Sequence, residues 1–187
     1  MRIISGKARG TKLYTLDGYE TTRPTLDRVK EALFSKIHME LPDSIVLDLF
    51  AGCGALGLEA ISRGAKQAIL VDNSNKAMNI IKQNCVKAKF ESQIMLFQED
   101  YSKALEELKN NQFKFDFVFL DPPYKTNFAV NAIKLIWEYG LMKDTGKIIV
   151  ETDIEEDVLA ELDKMALNIY DIKKYGRVSL IFIKRKG

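Results

Sequence analysis

The stretch Phe115-Asp116-Phe117-Val118-Phe119-Leu120-Asp121-Pro122-Pro123-Tyr124 decides how this chain is read. An apolar run halted by Pro-Pro reads as a buried strand that stops abruptly at its carboxyl end. In an open α/β sheet, ligands bind outside the carboxyl ends of the strands. The motif therefore puts a carboxylate, a stiff backbone carbonyl and an aromatic ring at the edge of a site. Two prolines fix φ and remove competing N–H donors. Such a set suits a planar ring with an exocyclic amine: Asp121 and the Pro122 carbonyl accept the two amine hydrogens, Pro123 stiffens the turn, and Tyr124 stacks on the ring. Asp and Pro also build ordinary turns, so the motif gains its weight from what precedes it.

Working outward, apolar strands alternate with helical patterns from about residue 45. Strands are predicted at Ile45–Phe50, Gln67–Asp72, Gln93–Gln98, Phe115–Leu120 and Lys147–Glu151. Helices are predicted at Ala55–Arg63, Ser74–Lys89 with Ser74 as N-cap, Tyr101–Asn110, Asn127–Tyr139 and Glu155–Leu162. Strand–helix alternation implies right-handed βαβ units and a parallel sheet. Leu167–Lys174 and Val178–Ile183, around the turn Gly176-Arg177, read as a closing antiparallel hairpin. Before this core, Met1–Leu16 reads as a short β appendage and Thr25–Met39 as a helix. The division expected is residues 1–40 as a basic, RNA-contacting appendage with its leading helix, and residues 41–187 as the catalytic domain.

Upstream of the Asp-Pro-Pro-Tyr motif, Asp48-Leu49-Phe50-Ala51-Gly52-Cys53-Gly54-Ala55-Leu56-Gly57 holds Gly-x-Gly-x-x-Gly between a strand and a helix, with Asp72 ending the next strand. Glycines admit close backbone approach, and the helix N-terminus offers N–H groups to an anionic ligand end. The geometry suits the pyrophosphate of NAD or the carboxylate of S-adenosylmethionine, with Asp72 accepting from a ribose diol in either case. Asp48 favours the second, because its charge repels a pyrophosphate and pairs with a methionine ammonium. Gln98-Glu99-Asp100, after the third strand, supplies acids near the adenine position. The candidate cofactor residues are Asp48, Phe50, Ala51, Gly52, Gly54, Gly57, Asp72, Asn73, Asp100 and Tyr101.

The 187 residues, 47% of them hydrophobic, suffice for one core. No apolar window spans a membrane, and the start lacks the apolar core of a signal peptide. Cys53 and Cys85 have no metal-type spacing, and with a single histidine, His38, no metal site is expected. A reducing cytoplasm and a monomer are the defaults. The net charge is only +2, yet residues 1–16 (Arg2, Lys7, Arg9, Lys12) and residues 172–187 contain no acid. Two basic ends suggest a polyanion footprint if the fold brings them together.

The run Thr22-Arg23-Pro24-Thr25-Leu26-Asp27-Arg28-Val29-Lys30-Glu31-Ala32-Leu33-Phe34, the opening Met1–Gly10, the loop Asp48–Gly57 and Asp121–Tyr124 together resemble the RsmD-type 16S rRNA (guanine-N2)-methyltransferases, in order and spacing. Cys53 stands where that family often has serine. The resemblance covers essentially the whole chain. It implies an α/β class I methyltransferase (Rossmann-like) fold, a mostly parallel sheet with a C-terminal antiparallel hairpin. It further implies S-adenosylmethionine as cofactor and 16S rRNA within the 30S ribosomal subunit as substrate. Under it, Asp48, Gly52 and Gly54 hold the methionine end, Asp72 the ribose and Asp100 the adenine side. Asp121, Pro122, Pro123 and Tyr124 clamp guanine, while Arg2, Lys7, Arg9, Lys12, Arg23 and Arg28 grip phosphates. Three alternatives stand beside it: an amine methyltransferase on another nucleic acid, a non-catalytic ribosome-assembly factor, and, from the glycine loop alone, an NAD(P)-dependent oxidoreductase.

Overall fold

The structure, a computed structural model, describes residues 1–16, 24–123, 126–162, 165 and 167–186, without the side chains of residues 24–26 and 161. Seven strands form one sheet: β1 (Ile45–Asp48), β2 (Gln67–Val71), β3 (Ile94–Phe97), β4 (Phe115–Leu120), β5 (Met142–Thr152), β6 (Leu167–Tyr175) and β7 (Val178–Arg185). Their order is β3-β2-β1-β4-β5-β7-β6. β1 to β5 run parallel, and β7 lies antiparallel to both β5 and β6. The order reverses between β1 and β4, which makes their carboxyl ends the switch-point crevice where ligands bind.

The helices are α1 (Pro24–Ile37), α2 (Ala55–Ser62), α3 (Asn75–Ala88), α4 (Tyr101–Asn110), α5 (Phe128–Glu138) and α6 (Glu155–Leu162). Strands buried on both faces explain the near-continuous apolar runs. On one face Val46, Leu70, Phe117, Phe119 and Phe182 pack under α1, α2 and α3. On the other, Leu47, Ile69, Val118, Ile148 and Ile181 pack under α4, α5 and α6. No helix among the described residues is long and apolar enough to cross a membrane.

Most bounds move by only a residue or two from the sequence reading, as where β1 ends at Asp48 rather than Phe50, and the fifth strand moves most. β5 begins at Met142 rather than Lys147, because the register breaks: Phe115 pairs with Met142, but Phe117 pairs with Lys147. The intervening Lys143-Asp144-Thr145-Gly146 is polar and carries no strand pattern. The third strand is shorter than predicted, since Glu91–Gln93 is a single 3₁₀ turn that leads into it.

Residues 1–16 are built into the domain. They fold back through the Arg2–Lys12 bridge, with Ile3 and Leu13 buried in the core. The fully buried Glu59 of α2 accepts from the Ile4 N–H (2.8 Å) and Ser5 N–H (3.0 Å), and Ser62 O accepts from the Lys7 N–H (2.7 Å). Gly6 makes this docking possible: it has φ +85°, and a Cβ there would lie 1.8 Å from Ser62 O. Gly6→Ala is expected to unseat the segment, at about 1–3 kcal/mol for the backbone strain alone. A thermal melt should fall by several degrees, with new protease cleavage before residue 16.

Candidate active site

The carboxyl ends of β1, β2 and β4 open into a cleft of about 450 Å³. Its floor is the loop after β1, which turns sharply: Gly52 has φ +57° and Gly54 φ +81°, conformations that favour glycine. The Ala51 N–H donates to Val71 O (2.9 Å) and the Gly54 N–H to Ala51 O (2.7 Å), fixing the turn against β2. The Gly52 N–H donates to Asp72 Oδ2 (2.9 Å) while the Ser74 N–H donates to Asp72 Oδ1 (2.8 Å), so Asp72 is oriented from both sides. Gly57 has a different role: a Cβ there would lie 2.6 Å from Leu70 Cδ1, so its absence lets α2 settle on β2.

Asp48 ends β1 and is buried; Oδ2 accepts from the Gly57 N–H (2.9 Å), and Oδ1 has no partner. Burial pushes its carboxyl up to about 7; the Gly57 N–H works against that rise and the nearby Asp72 adds to it. Phe119 lies in register with Asp48 on the adjacent strand, and two residues on, Asp121 opens into the same cleft. Asp121 is exposed to the cleft, yet its carboxyl is raised well above the usual range, first by desolvation among the surrounding protein groups and then by the Glu151 and Asp48 carboxylates. Pro122 is buried beneath it, and the Pro123 carbonyl accepts from Thr126 Oγ1 (2.7 Å), closing the turn. Tyr124 lies outside the described residues.

One wall is aromatic. Phe50 and Tyr101 stand 5.4 Å apart, and Phe128 lies 5.4 Å from Tyr101 and parallel to Phe50 at 6.3 Å. Phe128, the first residue of α5, was not foreseen; the available signal was an apolar side chain starting a helix just after the Pro-Pro turn. Asn73 and Glu99 also line the cleft. Asp100 lines it while capping α4: its Oδ1 accepts from the Ser102 N–H (2.9 Å) and Oγ (2.6 Å), and the Ser102 hydroxyl first of all holds the carboxyl below its ordinary value.

Lys7, Arg9, Lys12 and Arg28 are exposed; Arg2 is also exposed and sits 3.5 Å from Asp27. Arg23 lies outside the described residues. Met1, Thr15 and Leu16 line the cleft, so the N-terminal segment borders its mouth. Two of the C-terminal cations face acids from elsewhere in the fold: Lys174 meets Glu155 at 3.3 Å and Arg185 meets Asp144 at 2.7 Å.

The strand order, with an antiparallel β7 inserted beside β5 and the cleft at the β1–β4 switch point, defines a class I methyltransferase fold. The chain belongs to the family described as Conserved hypothetical protein 95, the RsmD family, whose sequence model matches residues 1–184. Ribosomal RNA small subunit methyltransferase D of Haemophilus influenzae is 39% identical over 159 residues, spanning 85% of this chain and 82% of that protein. The Bacillus subtilis protein YlbH is 34% identical over 187 residues, covering 100% of both. Among solved structures, the Escherichia coli protein yhhF superposes with a TM-score of 0.84 at 30% identity, over 100% of this chain and 98% of that one.

Proposed function

We propose that the chain transfers the methyl group of S-adenosylmethionine to the N2 amine of a guanine in small-subunit ribosomal RNA. The observation that carries this reading is the convergence of two half-sites in one cleft: the glycine loop with Asp72, and Asp121–Pro122 on the neighbouring strand end. Relatives named ribosomal RNA small subunit methyltransferase D support the same substrate. The donor set fits the cofactor, because the buried Asp48 Oδ1 is an acceptor without a donor, as a methionine ammonium requires. Asp72 has lone pairs left for a ribose diol, and Phe50, Tyr101 and Phe128 with Asp100 offer an aromatic wall for adenine. When bound, S-adenosylmethionine supplies the electrophilic methyl.

The chain's own residues do the rest. Guanine N2 is out of reach in a stacked helix, so the base enters the cleft splayed out. Asp121 and the Pro122 carbonyl accept the two amine hydrogens and turn the lone pair toward the methyl. The raised affinity of Asp121 for a proton suits it to take the one released by the methylated amine. Pro123 stiffens the turn, Tyr124 stacks on the base, and alignment in the cleft supplies much of the rate. Residues 1–40, with Arg2, Lys7, Arg9, Lys12, Arg23 and Arg28, contact phosphates; residues 41–187 form the catalytic domain, acting as a monomer in the cytoplasm on the 30S subunit.

Three tests bear on this reading. Calorimetric titration should show binding of S-adenosylhomocysteine and none of NADH; the reverse would make the cleft a dinucleotide site. Because Asp48 is neutral below about pH 7 and anionic above it, affinity should rise from about pH 5.5 to about pH 7.5, approaching roughly tenfold per unit on the acid side. Asp48→Asn should flatten that profile, and a flat wild-type profile would remove Asp48 from the ligand's contacts. Reversing Lys7 and Arg9 to glutamate should weaken RNA binding and lower its salt dependence while sparing cofactor affinity. Unchanged methylation at moderate salt would exclude the N-terminal segment as a phosphate contact.

A further inference from the structure

Tyr14 is an aromatic ring held at the surface. Its residue is 50% exposed, while its backbone is clamped at both ends: the Tyr14 N–H donates to Asn84 Oδ1 (2.8 Å), and Asn84 Nδ2 donates to Tyr14 O (3.0 Å). Asn84 is fully buried, and its Nδ2 also donates to Cys53 O (2.9 Å) in the glycine loop. One amide thus locks the chain beside Tyr14 to the floor of the cleft, and the next two residues, Thr15 and Leu16, line the cleft itself. The clamp seats Leu13 in the core while leaving the adjacent Tyr14 ring half-exposed.

The surroundings of the ring are cationic. Lys87 Nζ sits 4.1 Å from the ring centroid. The helix that carries Lys87, α3, contains no acid, and its Lys76, Lys82 and Lys87, with Lys89 at its cap, are all exposed. An aromatic platform flanked by the exposed lysines of an acid-free helix matches single-stranded nucleic acid, in which bases stack and phosphates follow the positive track. Four exposed lysines, at Lys76, Lys82, Lys87 and Lys89, disfavour a basic partner.

We propose that Tyr14 is a base-stacking residue at the rim of the cleft, and that the outer face of α3 carries the RNA backbone past it. The proposal rests on the ribosomal RNA reading above and deepens it, assigning a second contact surface on the side of the glycine loop.

The test uses the full chain, unmodified 16S rRNA and 30S particles, and steady-state methylation alongside S-adenosylhomocysteine affinity and thermal melting. Tyr14→Ala should raise KM for RNA by roughly 5- to 30-fold, the factor for one or two kcal/mol of lost stacking. The kcat, cofactor affinity and melting temperature should stay near wild type. Tyr14→Phe should restore KM and Tyr14→Leu should not, since stacking needs a ring rather than bulk or a hydroxyl. Lys82→Glu with Lys87→Glu should flatten the salt dependence of RNA binding by about 0.7–0.9 per lysine. An unchanged KM in Tyr14→Ala, or a wild-type KM in Tyr14→Leu, overturns the proposal while leaving the methyltransferase reading intact. A wild-type chain that neither binds nor methylates ribosomal RNA overturns both.

Discussion

Asp121→Asn is expected to lower kcat for RNA methylation by about two orders of magnitude or more, the scale on which a positioned proton acceptor acts. S-adenosylhomocysteine affinity should stay within a few-fold of wild type. The asparagine keeps one acceptor oxygen, but it turns an N–H₂ toward an amine that must itself donate, and it cannot take the released proton. Stability should move the other way. Although Asp121 meets solvent in the cleft, its pKa is raised, first by desolvation among the surrounding protein groups and then by the Glu151 and Asp48 carboxylates. A raised carboxyl contributes stability that is present at low pH and lost as pH climbs through the folded-state value, so removing its charge should hold or raise the melting temperature near neutral pH. Single-turnover kinetics with melting curves across pH separate the two effects. A parallel loss of turnover, cofactor binding and melting temperature would make Asp121 a folding residue.

The second large effect concerns Glu59, whose carboxylate is wholly enclosed. It accepts from the Ile4 and Ser5 N–H groups, from Arg63 Nε at 2.8 Å, and pairs with the buried Lys30 at 3.2 Å. Glu59→Ala leaves the Lys30 ammonium without its counterion and frees the first residues of the chain. Breaking a buried pair in this way costs about 3–5 kcal/mol, or roughly 6–20 °C in melting temperature for a domain of this size. Because Met1 lines the cleft, RNA affinity should fall as well. The measurement is a melt of Glu59→Ala beside the double variant Glu59→Met with Lys30→Met, which removes both charges and should recover much of the loss. A melt of Glu59→Ala within a degree of wild type would mean that the network does not anchor the segment.

The strands and the cleft were legible in the chain because buried parallel strands must be apolar on both faces, while the acids at their ends stand out. Asp48, Asp72, Asp100 and Asp121 all follow such runs, and all four line one cleft. The start of β5 was not legible, because Lys143–Gly146 joins the strand through backbone pairing while its side chains stay polar. The docking of residues 1–16 was hidden for a related reason: backbone N–H groups, which are the same in every sequence, meet Glu59, Ser62 and Asn84 more than fifty residues away. One signal was present. Glu59 is the lone charge in Ala55–Ser62, an otherwise apolar helix, and an acid there demands partners. At the C-terminal end, a linear count of charge omits Glu155 and Asp144, which the fold brings beside Lys174 and Arg185.

The measurement that tests the central claim most directly is methyl transfer from labelled S-adenosylmethionine to unmodified 30S particles, free 16S rRNA and duplex DNA, followed by nucleoside analysis. Label recovered as N2-methylguanosine from 30S particles or 16S rRNA, and none from DNA, is the predicted result. Label in N6-methyladenine would contradict the guanine assignment while keeping the amine clamp, and no transfer to any of the three despite tight cofactor binding would contradict the ribosomal RNA reading itself.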